Sequence, residues 1–396
     1  MRMSTVKIGL IGKPNVGKST LFSALTKAPV DIANYPFTTL KPNVGIGWLT
    51  AKCPESEIGA KCTPREGSCA NGIRYIPVEI IDVPGLIPGA SEGKGMGNEF
   101  LDNIRDSEAI IHVFDASGRT APDGTPLQEA RDPVEDIVAI ENEMIAWMAD
   151  RIYRDWNKFA RKADASSERV ERILETKIGT FGVREKQISL ILTKDAFPAK
   201  LSHWESSHAT TFASLVFRYI KPIIRVANKC DAAPPEYIEK IRDFDENIYF
   251  ISGEFELTLE KAMGASLINT MGKDFIVSEK ANQAQRNALE KIRSFLSSQC
   301  LTRMDQILSH IVRDVLRYVV AYPVADESTW GDKKGNILPD AFLMPYGTTA
   351  HEMAFRVHSD IGEGFIKAID CRTKRAIGKD HVIEDSEVVR IVSKIN

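Results

Sequence analysis

No stretch of the 396-residue sequence approaches the roughly 18 apolar residues that a membrane-spanning helix needs. The first seven residues, MRMSTVK, lack the apolar segment of a secretory signal peptide. Six cysteines in a chain of this length do not form a disulfide framework, and they fit a reducing compartment. A net charge of −3 argues against a uniformly basic nucleic-acid binder but leaves local patches open. We therefore expect a cytoplasmic protein with no membrane partner and, from its length, two or three domains.

A glycine-rich stretch, GKPNVGKS, follows an apolar run at residues 6–11 and leads into a helix-prone segment. This strand, loop and helix order is the context that a phosphate-binding P-loop requires. Gly12 and Gly17 let the backbone curl so that its N–H groups point at a polyphosphate, next to the positive end of the helix. Lys18 is expected to reach the β- and γ-phosphates, and the Ser19 hydroxyl to bind Mg²⁺. The predicted nucleotide-binding loop comprises Gly12, Lys13, Pro14, Asn15, Val16, Gly17, Lys18, Ser19 and Thr20.

The segment NYPFTTLKPN, at residues 34–43, is bounded by prolines and carries two adjacent threonines. Alone it is an ordinary loop. After a P-loop it is a candidate first switch, in which Thr38 and Thr39 contact the nucleotide and the Thr39 hydroxyl closes on Mg²⁺ and the γ-phosphate.

A second metal ligand is predicted where the apolar run at residues 77–81 ends in Asp82-Val83-Pro84-Gly85. A carboxylate at the carboxyl end of a buried strand beside a P-loop would hold Mg²⁺, and the Gly85 N–H would face the γ-phosphate. The glycine-rich continuation to residue 97 is typical of a segment that changes shape with the nucleotide.

The base is expected to meet the tetrapeptide NKCD, which follows the apolar residues 222–227. The Asp231 carboxylate can accept both N1–H and N2–H of guanine, whereas adenine offers no such pair of donors. Asn228 and Lys229 complete the motif, and the backbone of Ser252 and Gly253 suits a loop that closes over the base. The sequence therefore favours GTP.

The residue after the DVPG motif is Leu86, which cannot align an attacking water because its side chain forms no hydrogen bond. Slow intrinsic hydrolysis is expected unless an arginine from a partner or a monovalent cation supplies positive charge. Asn15 is a candidate K⁺ ligand, although it could equally steady its own loop. The predicted catalytic residues are Asn15, Lys18, Thr39 and Gly85.

Residues 133–211 show helical periodicity, and their tip is locally basic through Arg151, Arg154, Lys158, Arg161 and Lys162. A solvated surface is favoured over a nucleic-acid contact there. The last eighty or so residues suggest a small α+β domain with a helix near 349–357.

Cys53, Cys62 and Cys69 lie in a Pro-, Gly- and Ser-containing loop. The loop has no C-x-x-C pair, no fourth cysteine and no nearby histidine, so a surface insertion with free thiols is favoured over a zinc loop. A redox-sensitive element stays open.

The GKPNVGKS motif from Gly12, YPFTT from Tyr35, DVPG from Asp82 with its continuation to Phe100, and NKCD from Asn228 together resemble the Obg-related GTPases. The C-terminal part resembles the TGS domain, and the helical insertion is similar to that of the YchF branch. YchF-type proteins commonly alter the base-specificity motif and prefer ATP, whereas the motif is intact here.

This resemblance implies an α/β protein with a Ras-like P-loop G domain, a helical insertion and a C-terminal β-grasp TGS domain. It divides the chain into residues 1–132 (first part of the G domain), 133–210 (helical insertion), 211–317 (second part and connecting helices) and 318–396 (TGS domain). We expect a monomeric, Mg²⁺-dependent GTPase that binds GTP and GDP and acts as a switch on the ribosome, rRNA or tRNA. The alternatives are an ATPase, or an RNA- or ribosome-binding module with negligible turnover.

Overall fold

The computed structural model describes residues 5–27, 43–83, 106–271, 274–299 and 301–394. Across these ranges, no helix is both long and apolar enough to cross a membrane.

The larger sheet has seven strands in the described ranges, in the order β2-β4-β1-β5-β6-β7, with β3 paired to β4. β2 and β3 run antiparallel to β4, and the other neighbours are parallel. The central strand β5 is buried along its whole length, as expected for an apolar strand covered on both faces. The strands are β1 Lys7–Ile11, β2 Val44–Lys52, β3 Ser68–Ala70, β4 Ile73–Asp82, β5 Ala109–Asp115, β6 Ile223–Asn228 and β7 Tyr249–Phe250.

Helices fill the segment between β5 and β6 and flank the sheet elsewhere. In the described ranges they are α1 Lys18–Thr26, α2 Glu55–Ile58, α3 Pro133–Tyr153, α4 Trp156–Asp164, α5 Val170–Ile178, α6 Glu185–Leu192, α7 Ser206–Ile220, α8 Pro235–Phe244, α9 Gly253–Gly264, α10 Gln283–Gln299, α11 Met304–His310, α12 Ala350–Val357 and α13 Ser359–Glu363. The N-terminus of α3 is stabilised because Asp132 caps it and Pro133 occupies its first turn. Helices α3 to α7 share one apolar core with residues of β1, β4 and β5. The four-part division of the chain stays a prediction, and α7 crosses its 210/211 boundary.

The C-terminal sheet has the order β11-β10-β14-β12-β13, in which β10 and β14 are parallel neighbours. Its helix α12 begins with a capping box formed by Thr349 and Glu352. The strands are β10 Tyr318–Val324, β11 Phe342–Pro345, β12 Phe365–Asp370, β13 Arg375–Ile377 and β14 Glu387–Ser393. A separate hairpin is formed by β8 Ile268–Met271 and β9 Asp274–Val277. The predicted α/β class, with a Ras-like domain, a helical insertion and a β-grasp domain, is confirmed.

One apolar core runs through both sheets. It contains Leu49 and Ile76 of the large sheet, Ile307 of α11, and Tyr322 and Val388 of the C-terminal sheet. The C-terminal domain therefore packs on the β2-β4 side of the large sheet.

Candidate nucleotide-binding site

The P-loop connects β1 to α1, and two of its glycines are required by its geometry. Gly12 has a φ of 148°, and a Cβ there would lie 2.2 Å from the Val113 carbonyl oxygen. Gly17 has a φ of 98°, and a Cβ there would lie 2.2 Å from Asn228 Nδ2. Any larger residue would push the loop away from β5 or β6, so the curl that the sequence predicts depends on both glycines.

The Lys18 side chain is buried inside this curl. Its Nζ donates to the Gly12 and Lys13 carbonyl oxygens, each at 2.9 Å. Burial lowers the pKa of Lys18, and the nearby Asp82 carboxylate opposes that shift. Within the described residues the hydrogen bonds of this buried ammonium go to loop carbonyls, an arrangement that favours an anionic ligand.

Asp82 ends β4 and lies opposite Leu10 of β1 in the sheet register. Its Oδ1 is buried and has no hydrogen-bond partner among the described residues. Burial raises the pKa of Asp82, while Lys18 and a hydrogen bond with the exposed Ser19 lower it. A buried carboxylate oxygen without a partner, beside a hydroxyl, is a pair of hard oxygen ligands that fits Mg²⁺.

Asn228 joins three parts of the site. Its side chain is 2% exposed; Nδ2 donates to the Val16 carbonyl at 2.8 Å, and Oδ1 accepts from the Gly253 N–H at 2.8 Å. Ser252 caps α9 by accepting from the Phe255 N–H. The side chain thereby fixes the P-loop, β6 and the 252–253 turn relative to one another.

Asp231 lies just beyond β6, in a short 3₁₀ turn at Cys230–Ala232. Its side chain is exposed and forms no hydrogen bond to the described residues. The carboxylate is thus available to a base at the carboxyl end of the sheet, where the P-loop also lies.

Two lysines of the predicted motifs make contacts with residues 115–136 that the sequence did not predict. Lys13 Nζ is buried and donates to the Thr120 carbonyl and to the Asp136 carboxylate. Lys229 Nζ donates to Asp115 Oδ2 at 2.9 Å and to the Thr120 hydroxyl at 3.1 Å. Asp115 could have been found as Asp82 was, because it too ends a buried strand next to β1.

Asn15 is exposed at the mouth of the P-loop and has a φ of 62°. Its Nδ2 donates to the Gly124 carbonyl at 2.9 Å, so it steadies a neighbouring loop rather than its own. Gly124 in turn packs so closely on Pro14 that a Cβ would lie 2.6 Å from the proline Cβ. The Asn15 side-chain oxygen forms no hydrogen bond within the described part of the chain.

The structure brings together the predicted residues of the P-loop, Asp82, the NKCD motif and the 252–253 turn. Thr38, Thr39 and Gly85 lie outside the described residues, and so does Leu86. Their roles stay predictions.

Three family profiles match the chain. They are "50S ribosome-binding GTPase" at residues 7–155, "Obg-like GTPase YGR210-like, G4 motif-containing domain" at residues 226–326, and "TGS domain" at residues 334–393. An uncharacterized GTP-binding protein of Methanocaldococcus jannaschii is 42% identical over 392 residues, which cover 98% of each chain. The ribosome-binding ATPase YchF of Buchnera aphidicola (strain APS) is 27% identical, over 98% of this chain and 99% of that one.

Among solved structures, the GTP-binding protein from Pyrococcus horikoshii is 33% identical with a TM-score of 0.76, covering 98% of this chain and 100% of that one. The Schizosaccharomyces pombe YchF GTPase has a TM-score of 0.60 at 19% identity, covering 99% of each chain, and shows the shared fold alone.

Fold and site together define a P-loop GTP-binding protein with a C-terminal TGS domain. The chain belongs to the Obg-related, YchF-type family of these proteins.

Proposed function

We propose that the protein binds GTP, hydrolyses it to GDP and phosphate, and acts as a nucleotide-controlled switch on a ribosomal partner. The observation that carries this proposal is the position of the Asn228 side chain. It ties the P-loop to the end of β6, so the exposed Asp231 carboxylate and the buried Lys18 ammonium share one end of the sheet. One ligand with a guanine base and a polyphosphate would satisfy both groups.

The residues of the chain divide the work of binding. The P-loop N–H groups and Lys18 hold the β- and γ-phosphates, and Asp231 accepts the two guanine donors. Mg²⁺, when bound, would be held by Ser19 and Asp82 and would neutralise charge on the phosphates. Thr39 is proposed as a further ligand.

The alternative substrate is ATP, because the Buchnera relative is named as an ATPase. An intact NKCD motif with a carboxylate free of hydrogen bonds to the described residues favours guanine. Adenine would leave this carboxylate without its pair of donors. Competition between GTP and ATP for the purified protein separates the two functions.

Hydrolysis is expected to be slow without help, because Leu86 cannot orient water. We propose that the Asn15 side-chain oxygen, which accepts no hydrogen bond from the described residues, shares a K⁺ ion with the phosphates, while its amide nitrogen stays bonded to the Gly124 carbonyl. In single-turnover assays at matched ionic strength, GTP should be cut faster in KCl than in NaCl. Asn15→Ala should lose that difference, whereas equal rates in both salts for the natural protein would contradict K⁺ involvement.

The partner is proposed from charge and from two names, those of a matching family profile and of the Buchnera relative, which both include ribosome binding. Arg154, Lys158, Arg161 and Lys162 are exposed on α4 and at the end of α3, and Arg151 is half-buried against Trp147. Phosphate contacts by these cations would make ribosome affinity fall steeply with salt through counterion release.

Charge reversal of Arg154, Arg161 and Lys162 should weaken ribosome binding and flatten its salt dependence while GTP affinity stays unchanged. Sedimentation with ribosomes at several salt concentrations measures this. Undiminished binding by the reversed variant would exclude the helical insertion as the contact, and GTP hydrolysis that ribosomes leave unchanged would favour a nucleotide-tuned binding module.

A further inference from the structure

Three cysteines with irregular spacing in the sequence converge at the end of the large sheet that is opposite to the P-loop. Cys53 follows β2, Cys62 follows α2, and Cys69 lies in β3. The three sulfur atoms and a Glu55 carboxylate oxygen all lie within 4.8 Å of one another. Cys53 is 1% exposed and Cys62 5%, so the predicted surface position is wrong for these two residues, whereas their thiols are free of disulfides as predicted.

The local fold explains the convergence. β2 and β4 are antiparallel, with Lys52 opposite Ile73. The tight β3-β4 turn places Gly72 beside Cys53, and the Gly72 carbonyl accepts a hydrogen bond from the Cys53 N–H at 2.8 Å. Gly67 has a φ of 72° and lies so close to the Tyr75 carbonyl that a Cβ would come within 2.1 Å of its oxygen. These turns return Cys69 to the end of β2.

The spacing of the sulfur atoms matches a tetrahedral metal site. Zinc–sulfur bonds are about 2.3 Å, so two sulfurs of a tetrahedron are about 3.8 Å apart. Cys53 Sγ and Cys62 Sγ are 3.7 Å apart. We propose that Cys53, Cys62, Cys69 and Glu55 bind one Zn²⁺ ion.

The buried surroundings favour a negatively charged sulfur site. Arg74 is 1% exposed, and its Nη1 lies 3.8 Å from Cys62 Sγ, while its Nε has no hydrogen-bond partner among the described residues. The buried Tyr322 hydroxyl also lacks a hydrogen-bond partner in those ranges. Three thiolates and one carboxylate around Zn²⁺ carry a charge that Arg74 partly offsets.

Zinc binds cysteine as the thiolate, so metal binding would release the thiol protons of the three cysteines, and zinc affinity should rise with pH.

A disulfide is the rival state for two of these residues. Cys53 and Cys62 do not form a disulfide in the structure, since their sulfur atoms are 3.7 Å apart and a disulfide bond is about 2.05 Å long. Oxidation of that pair would also leave Cys69 and Glu55 unused, whereas zinc engages all four groups.

The site would stiffen the surface on which the C-terminal domain rests. The Thr63 and Arg65 N–H groups donate to the Ile337 and Pro339 carbonyls at 2.9 and 2.8 Å. Arg372 holds Glu57 through two bonds of 2.6 and 2.9 Å. All of these contacts come from the loop that encloses the cysteines, so losing the metal should loosen the domain junction.

The first test uses the natural full-length chain, purified under reducing conditions and dialysed against a weak chelator. Elemental analysis should find about one zinc ion per chain. A mercurial reagent should release that zinc in step with modification of the cluster thiols, as followed with a chromogenic chelator. Less than about a tenth of an equivalent, together with a Co²⁺-loaded protein that lacks thiolate charge-transfer absorption, would overturn the proposal.

Variants locate the site. Glu55→Gln keeps the hydrogen bond that Glu55 accepts from the Cys62 N–H at 2.8 Å but removes the carboxylate charge. It should weaken zinc binding by about tenfold, and Cys69→Ser by about a hundredfold or more. Cys371→Ala, at a buried cysteine outside the cluster, is the matched control and should keep its zinc. Equal zinc loss in the control, or undiminished zinc in both cluster variants, contradicts the assignment.

Discussion

The two ends of β4 carry buried charges of opposite sign. Asp82 ends the strand at the P-loop and Arg74 lies near its start beside the cysteines; Asp82 Oδ1 and Arg74 Nε have no hydrogen-bond partner among the described residues. Eight residues of strand separate the two positions by about 26 Å. Each charge is of the sign that the group proposed beside it would require: a carboxylate for Mg²⁺ at one end, and a guanidinium for a negatively charged thiolate–zinc site at the other.

Exposure distinguishes the two ends. At the P-loop end, Ser19, Asn15 and Asp231 are exposed, so a ligand can enter and leave. At the other end, Cys53 and Cys62 are buried beneath the C-terminal domain. An exchangeable ligand suits the first end and a resident ion the second. Changes at one end should therefore leave the other end unaffected.

The largest effect is expected from Lys18→Ala. Removing a buried ammonium from the phosphate loop should weaken GTP binding at least about a thousandfold, or about 4 kcal/mol. Calorimetric titration with GTP measures the change. Lys240→Ala, at an exposed lysine of α8, is the control. Zinc content should stay the same in both variants, and a loss of zinc in Lys18→Ala would break the independence of the two ends.

A smaller effect is expected from Arg74→Met. Arg74 donates to the Leu338 and Pro339 carbonyls, each at 3.0 Å, and both acceptors would lose a buried charged donor. The free energy of unfolding of the domain junction, measured in urea, should fall by about 3 kcal/mol.

The control is Arg65→Ala, because the Arg65–Asp340 pair also links the large-sheet domain to residues 338–340, but through an arginine side chain that is 53% exposed. This substitution should lower the free energy of unfolding by less than about 1 kcal/mol. Equal losses in the free energy of unfolding for the two variants would show that burial of Arg74 does not determine the stability of the domain junction.

The smallest effect concerns Glu260 on α9, which borders a cavity of about 700 Å³ that also reaches Cys53. Burial raises the pKa of Glu260 to about 7, against the charge of Arg303. The folded state then holds a proton that the unfolded chain releases near pH 4.5, so this group's contribution is fully present below that pH and is lost as pH rises to about 7.

Glu260→Gln should therefore raise the free energy of unfolding above pH 7 by about 2 kcal/mol and change it little near pH 4.5. Urea unfolding at several pH values checks this, with the exposed Glu254→Gln on the same helix as control. A gain that is independent of pH would contradict the assignment of the titration to Glu260.

The sequence allowed the P-loop, Asp82 and NKCD to be predicted because each motif is contiguous and follows an apolar strand. Helix α12 was predictable too, since Thr349 and Glu352 have the spacing of a capping box. The bond from Lys13 to Asp136 spans 123 residues and depends on how the 116–132 loop folds back. No local pattern encodes such a contact.

The cysteine cluster escaped prediction for a related reason. Its ligand spacing is irregular, and its fourth member is a glutamate, a residue too common on surfaces to stand out. Only the return of β3 along β4 brings Cys69 to the other ligands.

Guanine selection by Asp231, at the P-loop end of the large sheet, is the central claim, and calorimetric competition between GTP and ATP tests it most directly. GTP should bind the natural protein more tightly than ATP by a few kcal/mol, because adenine leaves Asp231 without its donors. In Asp231→Asn the preference for GTP should collapse and xanthosine triphosphate should become the better ligand, since its 2-oxo group meets an amide donor. ATP binding that equals or exceeds GTP binding in the natural protein would contradict the claim.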